Sequence, residues 1–188
     1  MLLFLTGCSS SKQSSDEEDD ISGETEISEE NLSSTDLILI TAEEERDNDM
    51  YSPDADTTYL YWLDYRPVQL RNTTKCNIFA LNTLYKAGFK TPKSNALSRD
   101  LFDEQKFGDI LPVVKFKSLE DIMKGDLVIW KYHVIIFEKL VYLNKEPYAK
   151  GYWAGSRQKD DGVKVKNNTV HGNYPLKGEF VVRRPEKK

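Results

Sequence analysis

Lys75-Cys76-Asn77-Ile78-Phe79-Ala80-Leu81-Asn82-Thr83-Leu84-Tyr85-Lys86-Ala87-Gly88-Phe89 has the spacing of a half-buried helix. Apolar residues recur three or four apart at Ile78, Leu81, Leu84/Tyr85 and Gly88, while Asn82 and Lys86 fall on another side. Gly88 supplies the stop. Cys76 stands in the first turn, where unpaired backbone N–H groups and the positive end of the helix dipole favour a thiolate, the nucleophilic form of cysteine. The alternative for Cys76 is a small buried apolar residue, the usual fate of a lone cysteine.

The 188 residues allow one domain of ordinary size plus a tail, and a hydrophobic content of 39% suffices for a core. No apolar stretch reaches the length needed to span a bilayer. The net charge of −5 conceals an asymmetry: residues 9 to 45 hold thirteen acidic side chains against the single Lys12, whereas Arg46 onward carries 25 basic and 18 acidic ones. A basic domain behind an acidic tether suits an anionic polymer such as cell-wall material better than nucleic acid, because no basic stripe is interleaved with aromatics. No nucleic-acid partner is therefore expected. Cys8 and Cys76 sit in such different settings that a disulfide is not expected, and neither lies in a metal-ligand spacing.

The opening Met1 to Cys8 reads as the end of a bacterial lipoprotein signal, with Leu5-Thr6-Gly7-Cys8 matching the lipobox and Cys8 as the lipidated residue. Residues 9–46 form an acidic tether, its Ser/Glu/Asp-rich part too poor in apolar groups to order itself. Within it, Leu37-Ile38-Leu39-Ile40 is a short apolar run, a strand or a docking segment. The folded domain then spans 47–188. It enters through the aromatic-rich Tyr59 to Pro67, and a second helix is expected over Asn95 to Phe107 beyond Thr91-Pro92. A capped turn follows at Ser118 to Ile122. Strands are expected at Asp126 to Trp130, His133 to Glu138, Tyr148 to Gly155, Val163 to Val165 and Glu179 to Arg184. The segment Asn167 to Asn173 reads as a loop, with His171 exposed. Helices followed by strands imply an α+β fold with helices packed on an antiparallel sheet.

The order of a helix opened by Cys76, then Gly125-Asp126-Leu127-Val128-Ile129-Trp130, then His133-Val134-Ile135-Ile136-Phe137, and finally Phe180-Val181-Val182-Arg183-Arg184, resembles the NlpC-type cell-wall cysteine peptidases and their CHAP amidase relatives. Lys75-Cys76-Asn77-x-Phe79 is closer to the CHAP-like members. The resemblance covers about residues 59 to 185 and implies a papain-like domain with a partly barrel-like sheet. It implies Cys76 as nucleophile and His133 as base and then acid. Chemistry asks for the same pair, since a cysteine hydrolase needs an imidazole within reach of its sulfur. The resemblance also implies a third polar group orienting the imidazole. Aligning the strand after the histidine strand puts Ala154 where the usual histidine would stand, which leaves Ser156 as first choice, Gln158 behind it, or no side chain at all. Tyr61 or Tyr65 corresponds to the tyrosine ahead of the nucleophile in those enzymes, near the substrate and the developing oxyanion. No metal and no cofactor are expected. The expectation is thus a monomeric, envelope-facing lipoprotein held to a membrane through Cys8, cutting an amide bond in peptidoglycan. Its rival is a non-catalytic lipoprotein using the same fold to bind wall or host ligands. A transacylase sharing the nucleophile is a third possibility.

Overall fold

The computed structural model describes residues 33–52, 54–70, 73–155 and 169–188. Cys8, most of the tether, Ser156, Gln158 and the strand expected at Val163 to Val165 lie outside the described residues.

The domain begins earlier than its charge suggests. Ser34–Arg46 is a helix (α1), capped reciprocally by Ser33 and Asp36, each side chain receiving the other's backbone N–H. The tether expected over 9–46 is therefore corrected at its end: residues 34–46 belong to the folded body. The reason is a stripe of Ile38, Thr41, Ala42 and Glu45 at helical spacing, all buried. Leu37 to Ile40 accordingly serves as helix rather than strand. Cys76–Lys86 forms α2 as expected, with Ile78, Phe79, Leu81 and Leu84 in the core, and Gly88 closes it at a φ of +82°. The helix expected over 95–107 shrinks to α3, Ser98–Phe102. The capped turn holds, as a 3-10 helix at Leu119–Asp121 with the Ser118 hydroxyl accepting from Glu120 N.

Two sheets form. The aromatic entry folds into β1 (Thr57–Leu60) and β2 (Arg66–Gln69), an antiparallel pair interrupted by a 3-10 turn at Tyr61–Leu63. The main sheet contains β3 (Leu127–Trp130), β4 (His133–Leu143), β5 (Glu146–Ala154), β6 (Thr169–Pro175) and β7 (Val181–Arg183), in the order β6-β5-β4-β3-β7 and antiparallel throughout. Helices on an antiparallel sheet are thus as expected, but the sheet is open among the described residues. Among the described residues the three-residue β7 pairs with β3 and bridges Val113, and β1-β2 pair with each other, so no barrel closes. Segment 169–175, expected as a loop, is instead β6, held by its register with β5.

Side-chain alternation along the strands gives the main sheet two faces. Leu127, Ile129, Val134, Ile136, Tyr152 and Ala154 pack in one cluster with α1 and α2. Val128, Ile135, Phe137, Trp153 and Val182 pack in another. Two fully buried cations tie loops to this body through main-chain carbonyls. Lys75 Nζ donates to Met50 O (2.7 Å), Ser52 O (2.8 Å) and Ala55 O (2.7 Å). Arg183 donates to Leu101 O (2.6 Å), Leu111 O (2.5 Å) and Asp103 O (2.7 Å). In the Gly125-Asp126 motif, the buried Asp126 carboxylate accepts both arms of Arg184 at 2.9 Å and Met123 N at 2.9 Å. That aspartate ties the start of β3 to the residue after β7.

Candidate functional site

The site must be built around the start of α2. Lys75, the N-cap residue, offers no side-chain bond to the helix, because its ammonium is spent on the 50–55 loop. Loop and helix start are thereby fixed to one another. Cys76 follows, buried to 1% exposure, with its Sγ 3.5 Å from the Ser98 hydroxyl at the head of α3. Asn77 Nδ2 donates to Ala96 O at 2.8 Å, which pins the segment leading into α3 against the same turn.

His133 opens β4 directly across from Trp130, at the β3–β4 turn. Its ring stacks on Tyr174 at 4.6 Å and lies 6.3 Å from both Trp130 and Trp153. Burial among these rings pushes its pKa down to about 4, so the imidazole is neutral at physiological pH. Its Nε2 is buried and has no hydrogen-bond partner. A cavity of about 620 Å³ opens beside it, walled by Tyr132, Trp153, Tyr174, Gly155 and Thr74. A second, of about 340 Å³, adjoins it and includes Phe102, the last residue of α3.

Thr74 connects the two halves. Gly155 has a φ of +99°, and a Cβ placed on it would lie 2.7 Å from the Thr74 Cβ, so the chain entering α2 passes hard against the end of β5. Thr74 also lines a third cavity of about 400 Å³, on the side of Gln69, Asn77 and Asn95. The start of α2 therefore stands between an aromatic cavity at His133 and an amide-lined one beside β2.

Cys76 and His133 thus lie toward one end of the sheet, yet no hydrogen bond joins them. The sulfur packs in the cluster holding Val134 and Ile136, while the imidazole is ringed by aromatics of the cluster holding Ile135 and Phe137. A ring whose pKa is pushed down to about 4 by burial stays uncharged at physiological pH. Tyr61 and Tyr65 are not brought to this site. Their rings lie 4.8 Å apart, tilted by 40°, and the Lys86 ammonium lies 4.9 Å from the Tyr61 ring. This puts them by the last residue of α2, about 15 Å along the helix from Cys76 at 1.5 Å per residue. Proximity in sequence to Cys76 misleads, because β2 and the segment after it separate them. The orienting group expected at Ser156 or Gln158 falls outside the described residues.

Several site residues carried no signal of their own in the sequence. Lys75 reads as a surface lysine until three carbonyls converge on it, and Ser98 looks like an ordinary helix starter. Trp153 and Tyr174 read as core aromatics. His171, expected in solvent, sits in β6, stacked on Tyr152 at 4.1 Å with its Nε2 2.5 Å from Glu138 Oε2. Among the described residues no group of three or more His, Cys, Asp or Glu could hold a metal ion. No protein-family model, no curated protein and no solved structure matches the chain.

Proposed function

We propose that this domain is a cysteine-dependent amide hydrolase acting on peptidoglycan, with Cys76 as nucleophile and His133 as general base and acid. The observation that carries the reading is Thr74: two residues before Cys76, it shares a cavity wall with a buried imidazole whose Nε2 lacks a partner. Because His133 is neutral, its imidazole is free to take up a proton as the sulfur attacks. The Cys76 S–H proton passes to His133 while sulfur bonds to the amide carbonyl carbon. The imidazolium then protonates the departing amine, and water, deprotonated by the same imidazole, cleaves the thioester to a free acid and restores the thiol. The lipobox at Cys8 and the excess of basic residues after Arg46 fit an enzyme held near an anionic wall polymer.

Incubation of the protein with purified sacculi, followed by mass spectrometry of the soluble muropeptides, tests the reading. Release of cleaved peptides by the wild type and none by Cys76→Ala supports it. Equal release by both ends it. A second reading, a non-catalytic wall-binding lipoprotein, is favoured by the 1% exposure of Cys76 and its seat on Ser98. That reading expects retention on sacculi by wild type and variant alike, with no change in the muropeptides.

A further inference from the structure

We infer that the aromatic cavity beside His133 is a subsite for an uncharged pyranose ring. This deepens the proposed function by making the substrate a glycan-bearing peptide, although the cavity's own chemistry carries it whether or not Cys76 reacts. Among the described residues the lining of this cavity carries no carboxylate or ammonium, and His133 within it is neutral above about pH 4. Charge complementarity therefore favours a neutral occupant over the ionised ends of a free peptide. The walls are flat: Trp153 and Tyr174 meet at 77° with centroids 5.5 Å apart, and Tyr132, 75% exposed, stands at the rim. The C–H face of a sugar ring stacks on such surfaces, and the hydroxyls of Thr74 and Tyr132 can exchange hydrogen bonds with its rim. A volume of about 620 Å³ falls in the range of small-molecule sites and exceeds what one side chain could fill. The amide-lined cavity across Thr74 is more polar in character, with Gln69, Asn77 and Asn95, so the two sides of the α2 start differ in what they would hold.

The test titrates the full chain with an N-acetylglucosamine tetrasaccharide, and separately with a sugar-free stem tetrapeptide, following the indole N–H signals of the tryptophans by NMR. The tetrasaccharide should shift the Trp153 signal in a saturable way and leave Trp62, which belongs to the other cluster and donates to Ser94 O at 3.2 Å, where it is. Tyr132→Ala, at an exposed position that folding does not depend on, should weaken tetrasaccharide affinity about 3- to 10-fold and leave tetrapeptide affinity unchanged. An unmoved Trp153 signal at millimolar tetrasaccharide, or the same affinity in Tyr132→Ala, would overturn the subsite. Because no turnover is read, failure here is distinct from failure of the Cys76→Ala comparison.

Discussion

The chain has two histidines, and the fold treats them in opposite ways. His133 is stripped of polar company: aromatic rings surround it, its Nε2 is unpartnered, and its proton is held off until about pH 4. His171 lies flat on Tyr152 and bonds Glu138, with Lys150 a further 3.5 Å from the same carboxylate. Burial alone would raise the pKa of Glu138, but the bond from His171 and the neighbouring charges outweigh it and hold the group below the ordinary carboxylate value. A satisfied histidine in a charge network holds strands together. An unsatisfied one beside a cavity has its lone pair or proton to spend, and the fold has carried the desolvation cost in advance.

Activity should separate the two most sharply. On soluble muropeptides, His133→Ala is expected to lower kcat at least about 10³-fold, like Cys76→Ala, because members of one proton-transfer unit fail together. His171→Ala should keep kcat within about threefold. If His171→Ala proves as damaging as His133→Ala, the histidines have been assigned the wrong way round. The pH profile sharpens the contrast. A general base pushed to about 4 keeps kcat/KM on its plateau well below pH 6, and an acid limb centred on 6.5 would show that His133 is not the group titrating.

Next in size is the anchor of helix α2. Lys75→Met removes an ammonium on which three carbonyls depend, and about 3–5 kcal/mol of stability should go with it in urea unfolding. A loss below about 1 kcal/mol would mean that the 50–55 loop re-forms its bonds with water and does not hold the helix start. His133 itself should make stability pH-dependent. The unfolded chain takes up its proton near 6.5 and the folded one only near 4, so between these values the unfolded state binds more protons and stability falls as the pH drops. The full effect, below pH 4, is on the order of 3 kcal/mol. In His133→Phe this component should vanish, as a series of urea titrations from pH 7 to pH 4 would reveal.

How far the residues announced these roles depends on the range over which each is decided. Helix α2 was legible because Ile78, Leu81 and Leu84 are spaced by the helix itself, and β3 and the start of β4 because Val128, Ile129, Ile135 and Ile136 are β-branched and locally continuous. Helix α1 was hidden behind Leu37 to Ile40, whose composition suits a strand. The Ser33/Asp36 capping pair and the continuation through Ala42 and Glu45 were the signals that would have found it. Strand β6 offers Gly172, Asn173 and Pro175, poor strand formers, and exists because β5 pairs with it. The role of His171 follows from that pairing, since its register sets it beside Tyr152 and over Glu138, 33 positions away in sequence. Cys76 and His133 could be named, but not the rings around His133, because apolar contacts across a sheet leave no periodic trace. Tyr61 and Tyr65 failed for the converse reason: they are close in sequence to Cys76 and lie at the other end of its helix.

The smallest effect expected is the coupling between His171 and Glu138. Both side chains are partly exposed, at 23% and 19%, so solvent screens the pair, and a double-mutant cycle of His171→Phe and Glu138→Gln should give about 1 kcal/mol at pH 7. The sign of its pH dependence follows from Glu138, whose folded pKa lies below 4.5. The folded state holds the carboxylate charged at a pH where the unfolded chain has begun to protonate it, so this stability is complete above the unfolded value and fades as the pH falls through the folded one. His133 also costs stability in acid, but its loss begins near pH 6.5 and levels off near 4, whereas the Glu138 loss starts only as the pH drops past the ordinary carboxylate value. Stability curves of His133→Phe and Glu138→Gln should therefore depart from wild type in different pH windows. Departure in a single shared window would mean that His133 and Glu138 titrate as one system, with the sheet failing to insulate the cavity from the charge network.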